Sequence, residues 1–243
     1  MDIEYIEIFK RDISKYNLKD PDIHRKFEHS IRVMQKAGNL AIQKGLSRED
    51  ISLVSLAGLL HDYGRFAQHK QTGSYEDSNG VDHGDLGIDL LFHQKRLSMY
   101  TVNLDDYDEI YDAVKYHNKY RLPAFMSTHN ELICKVIRDA DKMDLLYMAN
   151  VGDQNFHEVE EAITDKVKES FQAERSISND DIRNDNDKII KFLAFVYGLE
   201  YKESFQYLKE NSIIENFYNR IQKKEIFKEY FNLIQKYIEK KVK

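Results

Sequence analysis

Very little in this chain interrupts a helix or ties one segment covalently to another. Its 243 residues include one cysteine, two prolines and ten glycines. The lone thiol, Cys134, excludes an internal disulfide framework and any metal site built from several thiolates. Ligands for an ion would have to be histidines and carboxylates, which favour hard or borderline cations. No stretch approaches the roughly 18 uninterrupted apolar residues of a spanning helix. The opening MDIEYIEIFKRD is acidic and mixed, unlike a signal or transit peptide, so the expected address is the cytoplasm and no membrane partner is expected. Net charge is −6, and basic residues stay dispersed until the final IQKKEIFKEYFNLIQKYIEKKVK. That is not the electrostatic footprint of a nucleic-acid binder, so no long nucleic acid is expected as partner. A homo-oligomer is left open.

What is abundant is helix-forming sequence. Leu, Ile, Lys and Glu recur at helical spacing and strand-like alternation is almost absent. The expected fold is an all-α helical bundle of about eight to eleven helices. The first amphipathic helix covers residues 2–16, and a second begins after Pro21 and Asp22, a candidate cap, and stops at Gly45. A third opens at Ser47, with Asp50 three residues on, and runs through ISLVSLAGLLHDYG. Residues 64–81 read as a long polar loop, and residues 92–106 as another; both are placed to gate whatever lies beside them. Between and after them come helices through HGDLGIDLLFHQ, DEIYDAVKYHNKY and residues 130–150. Beyond Gly152 the chain turns polar, then carries an aromatic stripe over residues 192–207 that reads as core, and ends in a charged amphipathic helix. The expected division is a core over residues 1–150 and a C-terminal helical extension, residues 151–243, packed on it.

The chemistry concentrates where charge interrupts these apolar patterns. In AGLLHDYGR the pair His61-Asp62 closes a solidly hydrophobic helix, where a carboxylate is seldom buried without a partner. Two ligands are too few for a tight divalent site, so others must converge from elsewhere in the chain. Candidates at helix-embedded positions are His29 in FEHSIRV and Asp141 in RDADKMD. His24, His69, His93, His129 and His157 lack such context and read as surface or packing residues.

The order H…HD…D, carried by FEHSIRV, LLHDYGR and DADKMDLL over about residues 20–150, resembles the HD-domain superfamily of metal-dependent phosphohydrolases. The likeness is to compact bacterial members with the patterns HDxGRF, DHxxxG and YHN. It implies a metal at the centre of the bundle, bound by His29, His61, Asp62 and Asp141. Choosing Asp141 over Asp139 or Asp144 rests on the family pattern, with Asp139 as the fallback. His83 in VDHGDLG and His117 in KYHNKYRLP are implied as ligands of a second metal or as phosphate contacts. A second ion ~3.5–4 Å from the first would let Asp62 bridge. The implied cofactor is one or two divalent ions per chain, drawn from Mn, Co, Ni, Mg, Zn or Fe.

The implied activity is hydrolysis of a small phosphorylated metabolite, expected to be a nucleotide, by a metal-activated water with no nucleophilic side chain. Asp62, Lys142 and Arg65 are the expected catalytic residues, the last two as phosphate contacts with Arg32 a third cation; Asp85 or Asp144 is the candidate for proton transfer. The plainer reading makes Lys142 a snorkelling helix lysine and Arg65 a loop anchor. Two other functions compete. Some HD-fold proteins with four His and two Asp bind two irons and oxidise organic substrates, and a degenerate domain would bind a nucleotide without turning it over. The presence of every core ligand weighs against the latter, and the absence of a GYP tripeptide weighs against cyclic-dinucleotide cleavage.

Overall fold

The structure, a computed structural model, describes residues 2–75, 77, 81–101, 103, 106–153 and 156–243. Among the described residues there is no strand. In chain order the helices are α1 (Asp2–Ile13), α2 (Pro21–Gln43), α3 (Arg48–Leu60), α4 (Tyr63–Thr72), α5 (His83–Ile88), α6 (Tyr107–Tyr116), α7 (Thr128–Val151), α8 (Asp165–Gln172), α9 (Asp185–Ala194), α10 (Lys202–Glu210), α11 (Ile213–Arg220) and α12 (Lys224–Val242). The fold is the all-α bundle expected. No described helix is long and apolar enough to cross a membrane. The chain divides into two compact units, Met1–Asp141 and Lys142–Lys243, with the division inside α7.

The N-terminal unit is organised on the α2–α3 pair. The cap of α2 is Asp20, one residue before Pro21, and not Asp22: its Oδ1 accepts from the Asp22 N–H at 2.9 Å and the Ile23 N–H at 3.4 Å. Proline suits the first helical position because its missing N–H has no acceptor there in any case. Ser47 caps α3, its Oγ accepting from the Asp50 N–H at 3.0 Å. The inward stripe of α2 includes Phe27, His29, Val33, Met34, Ala37 and Leu40, while α3 is buried continuously from Leu53 to Leu60. Gly58 lets the two helices close up, since a β-carbon there would lie 3.2 Å from the Met34 Cα.

Residues 64–81 are not the uninterrupted loop that their composition predicts. Tyr63–Thr72 is helix α4, ended by Gly73 at φ +70°, a conformation that only glycine adopts without strain. Its buried side includes Tyr63, Phe66 and Ala67, and Phe66 packs against the rings of Phe9 and Tyr16 at centroid distances of 5.6 and 6.0 Å. Gly64 allows α4 to meet α5 backbone to backbone: a β-carbon at this position would sit 2.1 Å from the His83 carbonyl oxygen and 2.6 Å from the Gly87 nitrogen. The expected loop at 92–106 contains a short 3-10 turn, Arg96–Met99. The gating expected of these two segments falls partly on residues 76, 78–80, 102, 104 and 105, which lie outside the described residues. The buried Asp12 fastens α1 to this region by accepting from Tyr63 Oη at 2.5 Å, Tyr100 Oη at 3.1 Å and Arg96 at 3.2 Å.

In the C-terminal unit Phe205 is the aromatic of the 192–207 stripe that is fully core, while Phe192, Phe195, Tyr197 and Tyr207 are partly buried and packed against the core. Phe171, Phe205, Phe217, Phe227 and Phe231 are buried among Ile189, Leu193 and Ile234. Phe217 and Phe231 meet edge to face at 5.2 Å, a geometry favoured by the ring quadrupoles.

Candidate metal centre

Six side chains of the N-terminal unit converge, from the middle of α2, the α3–α4 junction, the first residue of α5, the C-terminal cap of α6, and α7. Asp62 occupies the break between α3 and α4 at φ −102°, ψ 21°, a sparsely populated conformation that ends one helix and starts the next. That break sets the carboxylate between two pairs of histidines. Asp62 Oδ2 lies 3.5 Å from His29 Nε2 and 3.4 Å from His61 Nε2. Asp62 Oδ1 lies 3.3 Å from both His83 Nε2 and His117 Nε2. Asp141 Oδ1 completes the first group, 3.3 Å from His29 Nε2 and 3.6 Å from His61 Nε2. The four histidine side chains are at most 2 % exposed, and Asp141, at 17 %, marks the more open side.

The far nitrogens fix the tautomers. His61 Nδ1 donates to the Gly58 carbonyl at 2.7 Å and His117 Nδ1 to the Val114 carbonyl at 2.8 Å. His83 Nδ1 donates to Asp77, with both carboxylate oxygens at 2.8 Å. A neutral imidazole has one N–H, so with Nδ1 donating, the inward Nε2 of His61, His83 or His117 offers a lone pair whenever its ring is neutral. The inward Nε2 atoms of His83 and His117 face each other at 2.9 Å. His61 Nε2 is buried and has no hydrogen-bond partner. Imidazole nitrogens and two carboxylates crowded together make a donor set that a divalent cation would satisfy. Separations of 2.9 to 3.6 Å between these atoms suit ligands about 2.1 Å from a shared ion, whose neighbouring donors fall about 3.0–3.4 Å apart. A divalent metal therefore fits the residues present.

The electrostatics agree. Burial pushes the His61 pKa down, yet the Asp62 and Asp141 carboxylates outweigh it and raise it to about 10. In the metal-free protein a proton thus supplies part of the missing charge. Burial lowers His117 to about 4, which keeps its ring neutral and available as a ligand. Burial also pushes Asp62 and Asp141 up, but Lys26 and the histidines around Asp62, and His29 and His61 beside Asp141, hold both well below the usual carboxylate range.

Around the ligands stands a ring of fixing residues. Asp77 orients His83 and also accepts from Arg65 at 3.0 Å and Gln68 at 2.9 Å. Asp82 caps α5 through the Asp85 N–H at 3.1 Å and accepts from Asn118 and Lys119, directly after His117. Arg138 donates to the carbonyls of Tyr116, at 2.8 Å, and Lys119, locking the turn that follows α6. Outer partners of this kind set ligand orientation and affinity. Lys26 Nζ sits 2.7 Å from Asp62 Oδ2. Lys26, Asp77, Asp82 and Arg138 escape sequence reasoning. For Lys26 one signal exists, its position three residues before His29 on a helix face.

The remaining candidates separate as follows. Arg65 Nε is 3.7 Å from Asp62 Oδ1, and its guanidinium serves the Tyr75 carbonyl, Gln68 and Asp77. Arg32 is half-buried. Lys142 runs along Gly198, where a β-carbon would lie 2.8 Å from its Cε. Asp85 is exposed, and Asp139 and Asp144 are fully buried. His24, His93, His129 and His157 are exposed, as their context predicts; His69 is half-buried, 3.7 Å from Asp22.

A family model described as HD domain matches residues 27–148, about half of the chain and all six converging residues. No curated protein and no solved structure matches the sequence.

Proposed function

Since the chain belongs to the HD-domain family, in which metal-dependent hydrolysis of phosphate esters is typical, we propose that it hydrolyses a small phosphorylated metabolite, a nucleotide by preference, in the cytoplasm. The observation that carries this reading is the shared carboxylate: Asp62 turns one oxygen to His29 and His61 and the other to His83 and His117. His29, His61, Asp62 and Asp141 are the residues assigned to one divalent ion, and Asp62, His83 and His117 to a second. Such ions lower the pKa of water and neutralise phosphoryl oxygens. The chain's own residues do the rest. Asp62, held between four rings, fixes the spacing of the two groups. The N–H donors on Nδ1 keep the Nε2 atoms of His61, His83 and His117 aimed inward. Arg65, beside Asp62 Oδ1, is the cation assigned to the phosphoryl oxygens. Residues 151–243 are assigned to a helical extension of this core.

The composition of the cluster, four histidines and two aspartates, also favours a second reading, a pair of irons that oxidise an organic substrate. Elemental analysis of the purified protein and of His61→Ala, paired with phosphate release from a nucleotide panel under Mn, Co, Ni and Mg, separates the two. The expected result is phosphate release that disappears together with the metal in the variant. Two tightly held irons, oxygen consumption and no phosphate release would replace the hydrolase with the oxygenase. Metal in neither protein would refute both.

A further inference from the structure

Lys26 lies one turn before His29 on α2, with its ammonium on Asp62 Oδ2 at 2.7 Å. That oxygen is the one turned toward His29 and His61. The ammonium and an incoming divalent ion therefore claim the same lone pairs. The Lys26 side chain is 15 % exposed against 6 % for Asp62, so the lysine is the member of the pair more open to solvent. The ring of Tyr75 flanks it at 5.4 Å, and Tyr75 is itself held by donating to the Asp22 carbonyl at 3.0 Å. Arg65 is built in differently, since turning it would open its bonds to Tyr75, Gln68 and Asp77. Lys26 has one hydrogen bond from its ammonium among the described residues and a flexible four-carbon stem.

Resting on the metal-site reading above, we infer that Lys26 is a tethered counter-ion: it neutralises Asp62 until a divalent cation takes Oδ2, and then turns to the phosphoryl oxygens of the substrate. Once the cation neutralises the carboxylate, the ammonium loses its partner, and the phosphoryl group is the next anion within reach. Lys26 thus links loading of the site to binding of its substrate. Without the ion the lysine closes the carboxylate, and with it the lysine becomes a phosphate ligand.

The test uses Mn²⁺ alone, titrated calorimetrically into the metal-stripped wild type, Lys26→Met and Lys26→Gln, followed by inorganic phosphate titrated into each Mn²⁺-loaded protein. Removing the competing charge is expected to tighten Mn²⁺ binding about tenfold and weaken phosphate binding by about tenfold or more, with Lys26→Arg restoring phosphate affinity. Glutamine keeps a donor toward Asp62 without the charge, so it supplies the same reading if the methionine variant does not fold. A lysine that merely holds Asp62 in place predicts the opposite sign, weaker Mn²⁺ binding in the neutral variants, and that result overturns the inference, as does unchanged phosphate affinity. Failure of the wild type to bind Mn²⁺ removes the metal-site reading itself, which is a different outcome from a lysine without effect.

Discussion

In the C-terminal unit the buried Asp187 accepts from the Thr164 N–H at 2.9 Å, the Thr164 hydroxyl at 3.1 Å and the Arg183 N–H at 3.0 Å. Asn186 beside it bonds both the N–H and the carbonyl of Val159 and the carbonyl of Glu161. In the N-terminal unit the buried Asp62 faces four histidine nitrogens at 3.3 to 3.5 Å and a lysine. The two carboxylates are equally hidden and differently matched. Asp187 is matched by donors whose positions the backbone fixes, so its satisfaction is complete once the unit folds. Asp62 is matched instead by imidazole nitrogens and by the end of one flexible lysine, partners that a divalent cation could displace. Burial of charge is thus a poor guide to function, and the chemical kind of the neighbours is a good one.

Three experiments would sharpen or break this contrast. The largest effect is expected from Phe217→Ala, which removes a fully buried ring packed on Phe156 and Phe231 and should cost about 3–5 kcal/mol. Urea unfolding measures it, and metal bound per folded molecule should be unchanged; a loss of metal in the folded fraction would break the contrast. Asp77→Asn comes next. It leaves His83 with a weaker partner and should lower metal affinity about 10–100-fold, visible as loss of one of two ions in a Mn²⁺ titration, with stability nearly unaltered. An unchanged stoichiometry and affinity would show that His83 needs no orienting carboxylate. The smallest, taken per pH unit, is a pH effect. The metal-free protein holds the His61 proton up to about pH 10 while His117, lowered to about 4, is already neutral. Loading near neutrality must therefore expel the His61 proton, and affinity should rise about tenfold per pH unit between roughly pH 6 and 9. A flat profile would mean that the Nε2 lone pair is available without proton loss.

The legibility of the chain follows the same division between local and distant causes. Helices α2 and α3 can be read because apolar residues recur along them and their caps, an Asp and a Ser, stand just outside. Helix α4 cannot, because its inward residues Tyr63, Phe66 and Ala67 are diluted among polar ones, and what holds them are the rings of Phe9 and Tyr16, distant in sequence. Among the site residues, His29, His61, Asp62, His83, His117 and Asp141 each carry a local motif, and the structure brings all six together. Lys26 and Asp62 are separated by 36 positions, and Arg138 reaches Tyr116 across 22. Charged residues of this kind look like any solvated helix face until the fold is known. The pairing of Lys142 with Gly198 is hidden for the same reason.

Gly64 carries a different consequence, one that concerns descent. Its missing side chain is what allows the backbone next to Asp62 to touch the backbone that carries His83. Exchange of one of the six converging side chains leaves that backbone contact in place, whereas any side chain at position 64 prises apart the helices themselves. A descendant of this chain that had lost its chemistry would still be expected to keep its glycine.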